Sequence, residues 1–181
     1  MMKITVSSPR ILTLFLIFLV LASCTAVFAQ KHKRTPTAAP KGTLSIEAGL
    51  IFKSGDVKPV ARVAFYLLDA DLEVVLRDAG IELGRSDNYV SYYALQEFAS
   101  RQFGATIQLT KAKEAIKSRS VATAVTDFSG KLQFSPVKTG KYYLVGAGGP
   151  GQQVVVWNLL VEIKTGKQSV TLDNQNAAKI I

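Results

Sequence analysis

The run of residues most suggestive of chemistry is glycine-rich, GAGGPG at residues 146–151. Its spacing fits G-x-G-x-x-G, which in dinucleotide-binding proteins lets the backbone approach a pyrophosphate at the start of a helix. Here the run contains Pro150 and is followed by VVVW at 154–157, whose β-branched residues favour a strand. We therefore expect a loop between two strands and no bound nucleotide.

Histidine and cysteine, the usual bases, nucleophiles and metal ligands, are nearly absent. The chain has one histidine, His32, and one cysteine, Cys24, and both precede the predicted folded part. That part therefore lacks an imidazole base and cannot build a histidine or thiolate metal site. Asp69, Asp71 and Glu73 lie close together, and we interpret them as the capped start of a helix. We expect no catalytic residue, no metal and no cofactor.

Tyrosines form the candidate binding surface. Tyr89, Tyr92 and Tyr93 lie close together in sequence, and Tyr142 and Tyr143 precede the glycine-rich run. Aromatic rings can stack on a sugar or hold a protein partner. We expect these five side chains to contribute to a protein-binding or glycan-binding surface, with core packing as the competing explanation for part of them.

The first 29 residues have the organisation of an export signal. Lys3 and Arg10 precede an uncharged apolar run, ILTLFLIFLVLA, at residues 11–22. This run is shorter than the roughly 20 apolar residues of a membrane-spanning helix. We expect an exported protein that is periplasmic, extracellular or anchored in the cell envelope, with an uncleaved membrane anchor as the alternative.

Two processing sites compete within this signal. VFA at 27–29 fits the small-x-small rule for cleavage before Gln30, whereas LASC at 21–24 resembles the lipobox of bacterial lipoproteins. In the second case Cys24 becomes the lipidated first residue and tethers the protein to a membrane. In the first case the mature chain has no thiol and no disulfide. The sequence leaves both alternatives open.

Most of the positive charge lies outside the predicted fold. The formal net charge is +9; Lys3 and Arg10 carry two of these charges and the segment QKHKRTPTAAPK at 30–41 carries four, so nine minus six leaves +3. The Pro, Thr and Ala residues of that segment are typical of a spacer. We interpret 30–41 as a basic linker and expect no nucleic-acid partner, because the high charge does not come from a folded binding face.

Alternating and turn-bounded segments predict a β-sandwich at residues 42–173. The clearest region is 121–145, where an alternating strand, a DFSG turn at 127–130 and a tyrosine-rich strand predict an antiparallel meander. The seven predicted strands are centred on Leu44, Val63, Val121, Leu132, Tyr143, Val155 and Val170. Seven short strands suit a mainly β, antiparallel two-sheet sandwich. Residues 174–181 are expected to form a C-terminal tail or a partly packed strand.

A helical insertion is predicted between early strands, at residues 69–120. Apolar residues spaced i, i+3, i+4 and i+7 from Leu72 to Ala79 predict a first helix, which an aspartate at 69 or 71 would cap. The patterns of 89–103 and 110–118 predict a second and a weaker third helix. Each helix is too short to bury a core alone, so the segment is not a separate domain. We expect a partner to bind this insertion, and its deletion to leave the sandwich folded.

Three segments outside the insertion carry motifs that are found together in a known family of domains. They are VKPVARVAFYLL at 57–68, TDFSGKLQF at 126–134 and PVKTGKYYLV at 136–145, the last with a corner formed by Val137, Gly140, Tyr142 and Leu144. Over residues 42–68 and 121–173 the chain resembles the carboxypeptidase regulatory-like domains of the transthyretin-like and Cna-B-like group. The insertion departs from that family. The resemblance implies a prealbumin-type sandwich and a non-catalytic accessory or adhesion module outside the cytoplasm.

The resemblance also raises the question of an internal cross-link. Some Cna-B-like domains join a lysine and an asparagine side chain by an isopeptide bond beside an acidic residue. The candidates here are Asn158 with Glu162 and either Lys41 or Lys53. Ordinary, unlinked side chains are the alternative.

These features together predict an exported, non-catalytic β-sandwich module for binding, scaffolding or adhesion at the cell envelope. The alternative is a secreted carbohydrate-binding or carbohydrate-active protein that uses the tyrosine cluster and acidic residues. The expected partner is a protein or a glycan whose identity the sequence does not specify, and the oligomeric state is likewise open.

Overall fold

The computed structural model describes residues 39–181. The predicted export signal, both of its processing sites, Cys24 and most of the basic linker lie outside these residues. None of the helices within the described part is long and apolar enough to cross a membrane.

Within residues 39–181, nine strands form two sheets that pack face to face. The first sheet contains β1 (Lys41–Ile51), β2 (Val57–Pro59), β5 (Lys131–Lys138) and β8 (Gly166–Leu172); the second contains β3 (Ala64–Leu68), β4 (Ser120–Val125), β6 (Gly140–Gly148), β7 (Val155–Ile163) and β9 (Lys179–Ile180). The predicted mainly β sandwich is therefore confirmed. The two additional strands, β2 and β9, have three and two residues, too few to show alternation in the sequence.

Strand pairing is antiparallel except at one position. β1 lies at the centre of the first sheet, antiparallel to β5 and to β2 but parallel to β8. The second sheet has the order β4-β3-β6-β7-β9 with antiparallel neighbours. The parallel pair differs from the purely antiparallel expectation. The turn after β7 carries the chain from the second sheet into the first. There β8 runs opposite to β7, which is the direction of β1.

Three helices connect β3 to β4, which confirms the predicted helical insertion. They are α1 (Leu72–Asp78), α2 (Tyr89–Phe103) and α3 (Ile107–Ser118). The Asp71 carboxylate caps α1, and Asn88 caps α2 in the same way, by accepting hydrogen bonds from backbone N–H groups of the first turn. α3 begins at Ile107, earlier than predicted, because Thr106 supplies an N-cap through its hydroxyl oxygen.

Two hydrophobic cores lie on opposite faces of the second sheet. The core between the sheets contains Phe65 and Trp157, both fully buried, with ring centroids 5.8 Å apart. The core beneath the helices combines sheet residues such as Val145 with helix residues such as Leu76 and Leu109. The domain therefore has three layers, in the order sheet, sheet and helices.

The helical insertion is a structural layer of the fold. The sheet residues Leu68, Val145 and Val156 are at most 1% exposed, and they pack in the core that the helices cover. Deleting residues 69–120 would return each of these side chains to water, at a cost of about 1.5–3 kcal/mol apiece. Because the helices cover this core, we now expect deletion of the insertion to destabilise the sandwich.

A polar contact joins the start of α1 to the second sheet. Asn158 of β7 donates through Nδ2 to Asp71 Oδ2 at 3.1 Å, and its Oδ1 accepts from the backbone N–H of Leu72 at 3.4 Å. Asn158 therefore faces the helices, whereas Lys41 and Lys53 belong to the first sheet and its β1–β2 turn. The side chains considered for an isopeptide bond do not meet.

An ion pair between a buried glutamate and a half-exposed lysine joins α2 to α3. Glu97 is 8% exposed, and one of its carboxylate oxygens lies 3.0 Å from Lys113 Nζ. Burial raises the pKa of the Tyr93 phenol well above its ordinary value, and the neighbouring Glu97 carboxylate raises it further. Tyr93 therefore stays protonated and can donate a hydrogen bond to Glu97, which helps to satisfy the buried charge.

Candidate functional site at the distal pole

The strand ends define two poles of the sandwich. At the proximal pole, β1 begins beside the end of β5, and β6 begins beside the end of β7. At the distal pole, β1 ends beside β2, and β6 ends beside the start of β7. β1 contains 11 residues, so at roughly 3.3 Å per residue the poles are about 35 Å apart.

Exposed apolar side chains concentrate at the distal pole. Phe103 is 88% exposed, Ile107 87%, Phe128 74% and Val57 64%. No other large apolar side chain among residues 39–181 is more than 58% exposed. Single exposed apolar residues are ordinary on a protein surface, but a concentration at one end marks a candidate interaction site. We refer to these four residues as the distal apolar residues.

A turn between β4 and β5 presents Phe128 to solvent. Asp127 Oδ1 accepts hydrogen bonds from the backbone N–H of Ser129 and of Lys131, each at 2.8 Å. Gly130 has a φ of 78°, and a Cβ there would collide with the carbonyl oxygen of Ala48. The turn predicted at 127–130 is therefore held by the Asp127 side chain at its start and by the close packing of Gly130 at its end.

Arg62 lies over the exposed Phe128 ring. Its guanidinium carbon is 4.5 Å from the ring centroid, a cation–π contact. Arg62 has a φ of 56° and is the one residue other than glycine, within the described part, with a positive φ. Its backbone N–H donates to the Thr126 carbonyl at 3.1 Å, which holds the loop against the turn. Strained backbone of this kind is often found at functional sites.

An apolar groove on the outer face of the first sheet adjoins this turn. It has a volume of about 380 Å³ and is lined by Ile51, Val57, Pro59 and Ser129, among others. Gly49 also lines it, and a Cβ at Gly49 would lie 3.0 Å from Val57 Cγ1. The missing side chain at Gly49 thus keeps the groove open.

Arg101 fastens the glycine-rich run to the end of α2. Its Nη1 donates to the carbonyl oxygens of Gly149 at 3.1 Å, Gly151 at 3.0 Å and Gln153 at 2.9 Å. These contacts bring the corner between α2 and α3, with Phe103 and Ile107, to the distal pole. The run connects β6 to β7, as predicted, so its glycines serve a loop between strands.

The five predicted tyrosines do not share one surface. Tyr92 and Tyr93 are only 7% and 4% exposed, within the core beneath the helices, and Tyr89 packs partly against that core. Tyr142 and Tyr143 lie on opposite faces of β6, the first against the core between the sheets and the second against the core beneath the helices. Their contribution is mainly to packing.

The distal apolar residues were not identified from the sequence. Phe103 and Ile107 are the last and first residues of neighbouring helices, and Phe128 occupies a turn. Helix ends and turns have fewer covering neighbours than the middle of a helix or strand. In the sequence, an apolar residue next to a helix-ending glycine such as Gly104, or inside a turn such as DFSG, therefore predicts an exposed apolar side chain.

Comparisons with known proteins give only distant likenesses. No family model matches the chain, and no curated protein matches its sequence. A candidate carbohydrate-binding protein of Pseudomonas aeruginosa is 16% identical, with a TM-score of 0.41 over 76% of this chain and 91% of that one. The minor pilin of Streptococcus agalactiae is 15% identical, with a TM-score of 0.42 over 75% of this chain.

The pilus backbone protein of Streptococcus pneumoniae is 12% identical, with a TM-score of 0.30 over 70% of this chain. This chain spans 44% of the minor pilin and 40% of the backbone pilin. Likenesses with TM-scores below 0.5 do not transfer a function. The β-sandwich is seen directly in the strands, and membership of the carboxypeptidase regulatory-like family stays a prediction.

Proposed function

We propose that this protein is an exported, non-catalytic binding or scaffold module of the cell envelope, and that its distal pole contacts a protein partner. The observation that carries the proposal is the concentration of the most exposed apolar side chains at one pole. Export rests on the signal-like sequence of residues 1–29. The resemblance to the carboxypeptidase regulatory-like domains is compatible with the same role.

The chemistry of the distal pole favours a protein over a sugar. Phe103, Ile107 and Val57 supply apolar area without hydroxyl or amide groups, and protein interfaces typically bury such area at their centre. The groove beside Val57 has room for an inserted side chain. The Arg62 guanidinium over Phe128 adds a polar group at the rim of the apolar area.

The helical insertion contributes to this surface through its corner. Phe103 and Ile107 belong to α2 and α3, whereas Phe128 and Val57 belong to the sandwich. The insertion therefore acts in two ways in this proposal, by covering the second sheet and by extending the distal pole. Single side chains, and not the whole insertion, are the appropriate targets for a test.

Site-specific photocrosslinking in intact cells tests the proposal. A photoreactive phenylalanine analogue replaces Phe103 in one variant, Phe128 in a second and Leu160 in a third. Leu160 is the matched control because it is 53% exposed but lies in β7, away from the distal loops. We expect a discrete protein adduct from positions 103 and 128 and none from position 160.

Two outcomes would contradict the proposal. One is an absence of protein adducts at both distal positions. The other is the same set of adducts from position 160, which would indicate unspecific contact. If the adduct from position 128 disappears when Ile107 is replaced by Ser, both halves of the distal pole bind the same partner.

A further inference from the structure

We infer that the proximal pole is a membrane-facing surface that binds the headgroups of an anionic bilayer. The proximal pole is the opposite end of the domain from the proposed partner site. It has a concentration of lysines at its strand ends, and the basic linker leads into it.

Five exposed lysines lie at the strand ends of the proximal pole. They are Lys41, Lys138, Lys141, Lys164 and Lys167. Lys164 is 3.5 Å from the Glu162 carboxylate, and none of the other four makes a salt bridge within residues 39–181. The second acidic residue nearby, Asp69 after β3, is paired with Arg119 at 2.9 Å. The proximal strand ends therefore carry a clear excess of positive charge.

The register places two of these lysines directly opposite each other. Lys41 of β1 and Lys138 of β5 are cross-strand partners, and like charges in that arrangement destabilise a sheet. Lys167 follows on β8, the other neighbour of β1. Adjacent strands are about 4.8 Å apart, so the charges of Lys41 and Lys138 lie close enough to repel each other. An anionic surface would remove that repulsion.

The chain leads into this pole from the segment predicted to reach the membrane. The apolar run at 11–22 and the candidate lipidation residue Cys24 precede the basic linker, which ends at Lys41, the first residue of β1. At the polyproline II rise of about 3.1 Å per residue, a linker of the length of residues 25–40 would span roughly 50 Å. A chain anchored at Cys24 would therefore keep the proximal pole within reach of the bilayer. Juxtamembrane clusters of basic residues are attracted to anionic lipid.

The chemistry favours a bilayer surface over a discrete ligand. The lysines are spread over several strand ends, and each ammonium is a compact, hydrated charge on a flexible stem. Such an arrangement suits many mobile headgroups on a plane. The resulting attraction between the lysines and the headgroups is electrostatic. At physiological ionic strength, salt screens it beyond a Debye length of about 8 Å.

Lysine footprinting of the exported chain tests the inference, whether or not Cys24 is lipidated. Lysines are acetylated with and without vesicles of phosphatidylcholine containing 30% phosphatidylglycerol, and each site is quantified by mass spectrometry. We expect labelling of Lys138, Lys141 and Lys167 to fall about fivefold with these vesicles. Lys53 and Lys58, at the distal pole, are internal controls whose labelling should change by less than about 1.5-fold. Protection should disappear in 0.5 M NaCl.

Three results would overturn the inference. The first is equal labelling with and without anionic vesicles, and the second is equal protection of both poles. The third is equal protection by vesicles of phosphatidylcholine alone or by soluble polyphosphate, which would indicate tethering or a soluble polymer in place of anionic lipid. The crosslinking test at the distal pole is independent, so either proposal can fail alone.

Discussion

The two poles of the sandwich are formed by ends of the same strands, but they expose different side chains. The proximal pole carries five lysines, and the distal pole carries the four distal apolar residues. The connections explain the difference. At the proximal pole, Thr139 alone separates β5 from β6, and two residues separate β7 from β8. At the distal pole, longer loops and the α2–α3 corner add side chains. Their positions do not depend on the pairing of strands.

This difference separates two kinds of recognition within one domain. A surface made of strand ends is held by the hydrogen-bonded ladders of two sheets, and repeated lysines on it give broad electrostatic attraction. A surface made of loops can place a few apolar anchors and one stacked arginine, which is the usual composition of a specific protein interface. Substitutions at the two poles should therefore have different consequences.

The largest expected effect comes from paired glycine substitutions, one at each pole. Gly130 has a φ of 78° and Gly166 a φ of 96°, so Ala at either position adopts an unfavourable backbone conformation at a cost of about 1–2 kcal/mol. At Gly130 the new Cβ also collides with the Ala48 carbonyl, whereas at Gly166 no atom of residues 39–181 lies within 4 Å. Overpacking typically adds 1–3 kcal/mol. We expect Gly130→Ala to lower the free energy of unfolding by about 3 kcal/mol, and Gly166→Ala by about 1 kcal/mol.

Urea denaturation of the two variants beside the unsubstituted chain measures this difference. Equal losses would mean that the distal turn relaxes around the added methyl group. The distal loops would then be less rigid than the contacts of Gly130 and Asp127 imply.

Much of the fold follows from local sequence patterns, and specific residues show why. Alternation marks β1 through Leu44 and Ile46, because one face of that strand is buried against the second sheet. Gly104 and Asn88 mark the bounds of α2 because a helix needs a cap at each end. β2 escapes prediction, and β9 was only one of two alternatives for residues 174–181, because strands of three and two residues depend on pairing with a distant segment.

The candidate surfaces were harder to predict because exposure depends on tertiary packing. Tyr92 and Tyr93 look like a binding surface in sequence, yet α2 turns both rings toward the second sheet. Phe103, in the same helix, is left exposed by the other residues of the described part of the chain. Lys138 and Lys141 are visible in the PVKTGKYYLV segment, but their placement beside Lys41 requires the pairing of β1 with β5. Sequence gives the residue types, and sheet topology brings them together.

A smaller effect is expected from reversing one charge at the proximal pole. Lys138→Glu replaces a like-charged cross-strand pair with an ion pair to Lys41, and we expect the free energy of unfolding to rise by about 0.5 kcal/mol. Lys167→Glu is the matched control because Lys167 lies opposite Thr43, so its stability should hardly change. Both variants should lose protection by anionic vesicles. A Lys138→Glu variant that is less stable, or that keeps full protection, would break the contrast between the poles.

The smallest expected effect is a pH dependence that belongs to the distal turn. Hydrogen bonds from the Lys131 backbone N–H and from Ser129 hold the pKa of Asp127 below the ordinary aspartate value of about 3.8. The ionised carboxylate is thus favoured in the folded state, so its contribution is complete above the unfolded pKa and is lost as pH falls through the folded pKa. Asp127→Asn should therefore lower the free energy of unfolding at pH 6–7, with the deficit shrinking toward pH 3 and below.

Ser129→Ala removes one donor and should give a weaker form of the same change. Parallel stability curves for Asp127→Asn and the unsubstituted chain between pH 7 and pH 3 would show that the charge of Asp127 does not stabilise the turn that presents Phe128.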